Sequence, residues 1–227
     1  MMKDRNTPVA AIFDVDGTLV DTFRLYLESY RRALAGWLDR VPELEEFATK
    51  RPSSELHFLA EWIGEDEARK CHVEMIRHYE TLHATHCDGL YDGVREMLQA
   101  LRAARVPLGV VTGKGVEAWR ITDRELGLGD FDVVICESDA PAPKPDPAGL
   151  RLALNALGVE PGDALYVGDS LSDLEAGRAA GVKVGAALWP KTDAEDRAGF
   201  LRGIARWDPD WVFERPADVT RLFVSWC

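Results

Sequence analysis

Five short runs of apolar, largely β-branched residues punctuate the chain: Val9–Phe13, Pro107–Val111, Val133–Cys136, Ala164–Val167 and Val182–Ala186. Continuous apolar runs of this length predict buried strands. Trp211–Phe213 gives a weaker sixth. Between the later runs the pattern changes to a helical period. Val94, Met97, Leu98 and Leu101 recur at that spacing, and so do Leu150, Ala153, Leu154 and Leu157. Pro147 suits a helical first turn and Gly158 stands just past the end of the second pattern, while Gly181 stops a helix running through Leu174 to Ala180. Strands alternating with helices predict a parallel sheet covered on both faces, a doubly wound α/β domain.

One region breaks the alternation. From about Thr22 to Asp88 no strand is evident, but Leu27, Tyr30, Leu34 and Trp37 keep a helical period, and all five histidines fall inside. The simplest reading is a helical insertion. The expected organisation is a core of residues 1–20 and 89–227 and a helical cap of residues 21–88.

Composition narrows the partners. At 227 residues and 46% hydrophobic content the chain can bury a sizeable core. Its formal net charge of −12 repels nucleic acid and anionic lipid, so neither is an expected partner. An anionic small substrate would need a locally positive pocket. Cys71, Cys87, Cys136 and Cys227 form no CxxC pair, which suits reduced thiols. The apolar run after Met-Met-Lys-Asp-Arg-Asn is too short for a signal peptide or a membrane span. The expectation is a cytoplasmic protein.

In a parallel α/β sheet, ligands bind at the carboxyl ends of the strands, so the residues after each run carry the chemistry. Asp14-Val15-Asp16-Gly17-Thr18 follows the first run and Thr112-Gly113-Lys114 the second. Lys144-Pro145-Asp146-Pro147 comes a short loop after the third, and Gly168-Asp169-Ser170-Leu171-Ser172-Asp173 follows the fourth. Four acids, a lysine and a threonine therefore converge on one sheet edge. The set makes sense for phosphoryl transfer. A hard cation such as Mg²⁺ takes a few oxygen ligands, which Asp14 and Asp169 can supply in part. A carboxylate can attack phosphorus to give an acyl phosphate, while Lys144 and loop N–H groups neutralise the equatorial oxygens. Asp and Gly at strand ends are also ordinary caps and turns. Asp-x-Asp-Gly-Thr, however, arises by chance only about once in 10⁵ positions at average composition.

These segments resemble the four motifs of the haloacid dehalogenase superfamily over nearly the whole chain. Asp14 to Thr22 is similar to the first motif of its phosphoglycolate phosphatase-like branch, which also carries a helical cap. The resemblance implies a Mg²⁺-dependent phosphatase acting on a small phosphorylated metabolite. Asp14 is then the nucleophile and a metal ligand, and Asp16 the general acid/base and a carbonyl ligand. Asp169 and Asp173 complete the metal site, while Thr18, Thr112, Gly113 and Lys144 bind phosphate. Gly113 departs from the pattern, since the second motif usually has Asn there. The cap's specificity segment, normally Gly-containing, reads Lys50-Arg51-Pro52-Ser53-Ser54 here, so Lys50, Arg51 and Ser54 are candidate substrate contacts. An ordinary solvated turn opening the helix with Leu56 and Leu59 explains the same segment. Closure of the cap would exclude bulk water.

Other readings are a sugar phosphomutase with the same intermediate and a non-catalytic phosphometabolite-binding protein; pyrophosphate or phosphonate cleavage ranks below these. Gly109 to Gly115 looks superficially like a P-loop, but it is one residue short between glycines, and Gly115 stands where Ser or Thr should bind Mg²⁺.

Overall fold

The computed structural model describes residues 7–48 and 54–224. Every strand expected from the apolar runs is present. In chain order the strands are β1 (Ala10–Phe13), β2 (Val20–Asp21), β3 (Gly89–Leu90), β4 (Leu108–Val111), β5 (Val133–Ile135), β6 (Ala164–Gly168), β7 (Lys183–Ala187) and β8 (Trp211–Phe213). The helices are α1 (Phe23–Leu38), α2 (Leu44–Ala48), α3 (Glu55–Ile63), α4 (Glu65–His86), α5 (Val94–Ala103), α6 (Val116–Leu126), α7 (Ala148–Leu157), α8 (Leu171–Ala180), α9 (Ala194–Ile204) and α10 (Pro216–Phe223). Among the described residues no helix is long and apolar enough to cross a membrane.

Contacts divide the chain into two units. The first comprises Met1–Val20, Leu90–Thr112 and Asp130–Cys227. It contains a parallel sheet in the order β5-β4-β1-β6-β7-β8, the α/β class the sequence predicts. Ile12 and Val111, with Tyr166 and Val184, face one side of the sheet and pack with Leu150 and Leu154 of α7 and Leu174 of α8. Successive strand residues point to opposite faces, so Phe13 and Val110 face the other side. Both are also buried, which is why these strands read as continuous apolar runs. From β1 the strand order runs outward in both directions. β1 with its neighbours β4 and β6 therefore forms the switch point where such sheets bind ligands.

The second unit comprises Asp21–Gly89 and Gly113–Gly129. The expected cap boundary left residues 113–129 in the core. They group with the helical unit because α6 adds Ala118 and Ile121 to the cluster built by Leu25, Leu34, Phe58, Leu59, Met75 and Tyr79 of α1, α3 and α4. Gly64, at φ +80°, separates α3 from α4, and Glu65, Asp66 and Glu67 line the first turn of α4, where the helix dipole favours negative charge.

A buried polar network runs through this unit. Lys114 is 1% exposed. Its Nζ donates to the hydroxyls of Tyr26 at 3.0 Å and Tyr79 at 2.8 Å, and it stands 4.3 Å from the centre of the Tyr26 ring. Glu55 Oε1 accepts from the Tyr26 hydroxyl at 2.5 Å and from the Gly115 N–H at 3.0 Å, while Oε2 is 2.7 Å from His72 Nε2. Burial alone would raise the Glu55 pKa. The hydrogen bond to His72 and the charge of Lys114 outweigh it and hold the carboxyl below its ordinary value. Gly115 has no room for a side chain, since a Cβ there would lie 2.5 Å from Glu55 Oε2. The lysine of the P-loop-like segment is thus an internal cation of the helical unit. Removing one member of a buried ionic network leaves the others unpaired and typically costs about 3–5 kcal/mol. Lys114→Met is expected to lose stability in that range, read by denaturant unfolding followed by circular dichroism.

Candidate active site

The site candidates of the first unit gather at the carboxyl ends of β1, β4 and β6. Asp14 follows the last residue of β1, and its N–H donates to the Val167 carbonyl of β6 at 3.0 Å. Thr112 follows β4 and is buried, its N–H donating to the Ile135 carbonyl at 3.0 Å. Asp169 follows β6. Carboxylate oxygens of Asp14, Asp169 and Asp173 lie within 4.8 Å of one another. Close approach of the loops requires Gly17. Its φ is +79°, and a Cβ there would stand 2.7 and 2.8 Å from the two Asp169 carboxylate oxygens.

Local structure fixes Asp173 twice. It stands at the third position of α8 in a capping box: Ser170 Oγ accepts from the Asp173 N–H at 3.2 Å, and Asp173 Oδ2 accepts from the Ser170 N–H at 3.0 Å. Its other oxygen, Oδ1, is 2.6 Å from Lys144 Nζ and 2.8 Å from the Tyr166 hydroxyl. The first-turn acid is therefore both a helix cap and a member of the cluster. Lys144 arrives on the loop before α7 and bridges two acids, with its Nζ 2.9 Å from Asp14 Oδ1 as well. That second approach pairs the ammonium with a buried Asp14 oxygen.

The electrostatics follow from crowding acids in a dry place. Burial, with Asp173 and Asp169 nearby, pushes Asp14 up to about 7 against the pull of Lys144. Burial also raises Asp169, opposed by the charge of Lys191. Asp173 is buried too, yet Lys144 and the hydrogen bonds from Lys144, Ser170 and Tyr166 hold it below its ordinary value. Lys144 loses hydration on burial, but Asp14 and Asp173 keep its pKa well above the usual lysine value.

The donor set fits a hard divalent cation: three carboxylates whose oxygens cluster within 4.8 Å of one another, an all-oxygen set. Asp14, Asp169 and Asp173 would hold it.

The remaining candidates are distributed as follows. Asp16 is half-buried and pairs with Val20 across the turn at Gly17. Thr18 is fully buried and donates its hydroxyl to Asp169 Oδ1 at 3.1 Å. Gly113 follows Thr112 and opens the segment grouped with the helical unit. Lys50 and Arg51 lie outside the described residues. Ser54 caps α3, its side chain accepting from the His57 N–H at 3.2 Å, as the turn reading of that segment anticipates.

Residues 11–187 match the family described as haloacid dehalogenase-like hydrolase. The chain belongs to that family. It is 32% identical to pyrophosphatase PpaX of Bacillus velezensis, over 97% of this chain and 98% of the relative. It is 31% identical to phosphoglycolate phosphatase of Aquifex aeolicus, over 93% and 94% of the two chains. The crystal structure of CbbY from Rhodobacter sphaeroides in complex with phosphate shares the fold, with a TM-score of 0.75 at 22% identity over 93% of this chain and 96% of that one. The two curated relatives are thus named as a pyrophosphatase and a phosphatase.

Three residues at the hydrolase site were not signalled by its motifs. Tyr166 sits inside an apolar run and reads as core, yet its hydroxyl meets Asp173. Trp189 Nε1 donates to the Thr18 carbonyl at 2.9 Å, and Lys191 Nζ lies 2.8 Å from Asp169 Oδ2. Both follow β7, a strand end that lacks a recognisable motif. Gly17→Ala tests the loop geometry. It is expected to lower turnover at least about 100-fold by forcing the Asp169 carboxylate out of place, with the circular dichroism spectrum unchanged.

Proposed function

We propose that the chain hydrolyses a phosphomonoester of a small metabolite through a phosphoaspartate on Asp14, with Mg²⁺ held by Asp14, Asp169, Asp173 and the main-chain carbonyl of Asp16. The observation that carries this reading is the buried Asp14 carboxylate at the end of the innermost strand, crowded by two acids and paired with Lys144. Mg²⁺, when bound, supplies positive charge to the phosphoryl oxygens.

Asp14 attacks phosphorus with one carboxylate oxygen, and the ester oxygen departs. Lys144 opposes the upward shift that burial gives Asp14 and, with the Thr112 hydroxyl and the Gly113 N–H, neutralises the equatorial oxygens. Asp16 gives its proton to the departing alkoxide and then, as carboxylate, takes one from the water that hydrolyses the phosphoaspartate. The names of relatives, one for pyrophosphate and one for phosphoglycolate, support a small phosphate compound as substrate. They differ from each other, so a phosphate-release screen over phosphorylated metabolites is the route to the substrate.

Two variants test the chemistry. Asp14→Asn is expected to be inactive at every Mg²⁺ concentration while remaining folded. Asp16→Asn is expected to lose about 10²–10⁴-fold on alkyl phosphates, yet to release up to about one equivalent of p-nitrophenol from p-nitrophenyl phosphate in a burst. p-Nitrophenolate leaves without a proton, whereas the second step stalls. Intact mass after acid quench should show one added phosphoryl group. Turnover of both substrates in the wild-type ratio, without an adduct, would exclude Asp16 as the acid/base.

Mg²⁺ loading should also depend on pH. Because the Asp14 pKa stands at about 7 without metal, the group is mostly protonated at pH 6 and ionised at pH 8. Apparent Mg²⁺ affinity is therefore expected to fall as pH drops from about 8 to 6, with a proton released on binding at the lower pH. Calorimetry in two buffers of different ionisation enthalpy counts that proton.

A further inference from the structure

A second cation stands beside the acid cluster, and the reaction above gives it no task. Lys191 lies just past β7, the strand next to β6, with its Nζ 2.8 Å from Asp169 Oδ2. The contact is held from several sides. The Lys191 N–H donates to the Leu188 carbonyl at 3.1 Å, closing a turn. Within that turn the Trp189 indole N–H holds the Thr18 carbonyl, and the Thr18 hydroxyl holds the other oxygen of Asp169. The Lys191 ammonium also stands 5.3 Å from the centre of the Phe200 ring of α9. The two side chains of the pair are only 18% and 12% exposed, so water screens their charges weakly.

We propose that Lys191 is a built-in competitor for the divalent metal: it neutralises Asp169 in the metal-free protein and thereby sets how much free Mg²⁺ is needed to load the site. This rests on the reading of Asp14, Asp169 and Asp173 as the metal's ligands. A divalent ion that takes Asp169 meets an ammonium already on the same carboxylate, and the two cations repel across a few ångströms. The lysine has a flexible four-carbon stem and some exposure, so its head group can turn toward solvent. Separating it from Asp169 lowers the net affinity of the metal. Lys144 has a different position, between Asp14 and Asp173, where it can meet the phosphoryl group.

Calorimetric titration of Mg²⁺ into the metal-free protein, with no substrate present, tests the proposal. Lys191→Met keeps the apolar stem and removes the charge. It is expected to bind Mg²⁺ about tenfold more tightly than wild type. Without metal it should melt below wild type, because Asp169 is left buried and unpaired, and its Tm should rise further on addition of Mg²⁺. Lys191→Arg keeps the charge and should stay within about twofold of wild-type affinity. Equal or weaker Mg²⁺ binding by Lys191→Met, or Met-like binding by Lys191→Arg, overturns the competitor role and leaves the metal reading intact. Absence of Mg²⁺ binding in both wild type and Lys191→Met overturns both.

Discussion

Mutual repulsion among Asp14, Asp169 and Asp173, whose oxygens lie within 4.8 Å of one another at the buried strand ends, is the constraint around which the site is arranged. Each acid has its own compensation. Lys144 spans Asp14 and Asp173, Lys191 and Thr18 hold Asp169, and Ser170 and Tyr166 add hydrogen bonds to Asp173. The start of α8 contributes as well, since its dipole favours negative charge in the first turn. The balance is uneven. Asp173 is over-compensated and fully ionised, whereas Asp14 is under-compensated and poised. A poised carboxylate set among other acids is suited to receive a cation or to attack an electrophile. The same arrangement resolves the difficulty posed by a net charge of −12, because attraction for an anion is generated locally by lysines and a metal.

Such crowding persists only on a scaffold that does not yield. The strands beneath the acids are apolar on both faces, and Phe13 pairs in register with Val110 on one side and Val167 on the other. The ends of β1 and its two neighbours are thereby fixed relative to one another. Packed interiors resist small displacements, so the acids cannot relieve their repulsion by drifting apart.

The sheet was legible in the sequence because parallel strands buried on both faces leave uninterrupted apolar runs, and even the short edge strand at Trp211–Phe213 could be read. The acids and Lys144 were legible because topology sends every strand end to one edge. What escaped was chemistry without a pattern. Lys114 has the sequence signature of a surface or phosphate-loop lysine, and only the tyrosines of α1 and α4, brought together in space, make it an interior cation. Tyr166 is hidden by the apolarity of its own strand, and Lys191 by the plain loop that bears it. The grouping of residues 113–129 with the helical unit was equally silent, because strand–helix alternation assigns α6 to the sheet whereas its packing follows α4.

The chain order of the sheet has a consequence for biosynthesis. β1 is made first, yet both strands that flank it come later, and the hydrogen bond from Thr18 to Asp169 closes across 151 residues. A nascent chain that has left the ribosome as far as β5 carries Asp14 but neither Asp169 nor Asp173. The apolar β1 must therefore wait, unpaired on its β6 side, until β6 at Ala164–Gly168 has been made. Long-range parallel pairing of this kind is slow and exposes sticky edges meanwhile. The cluster of like charges is consequently assembled among the last features of the fold, when enough of the sheet has formed to hold it.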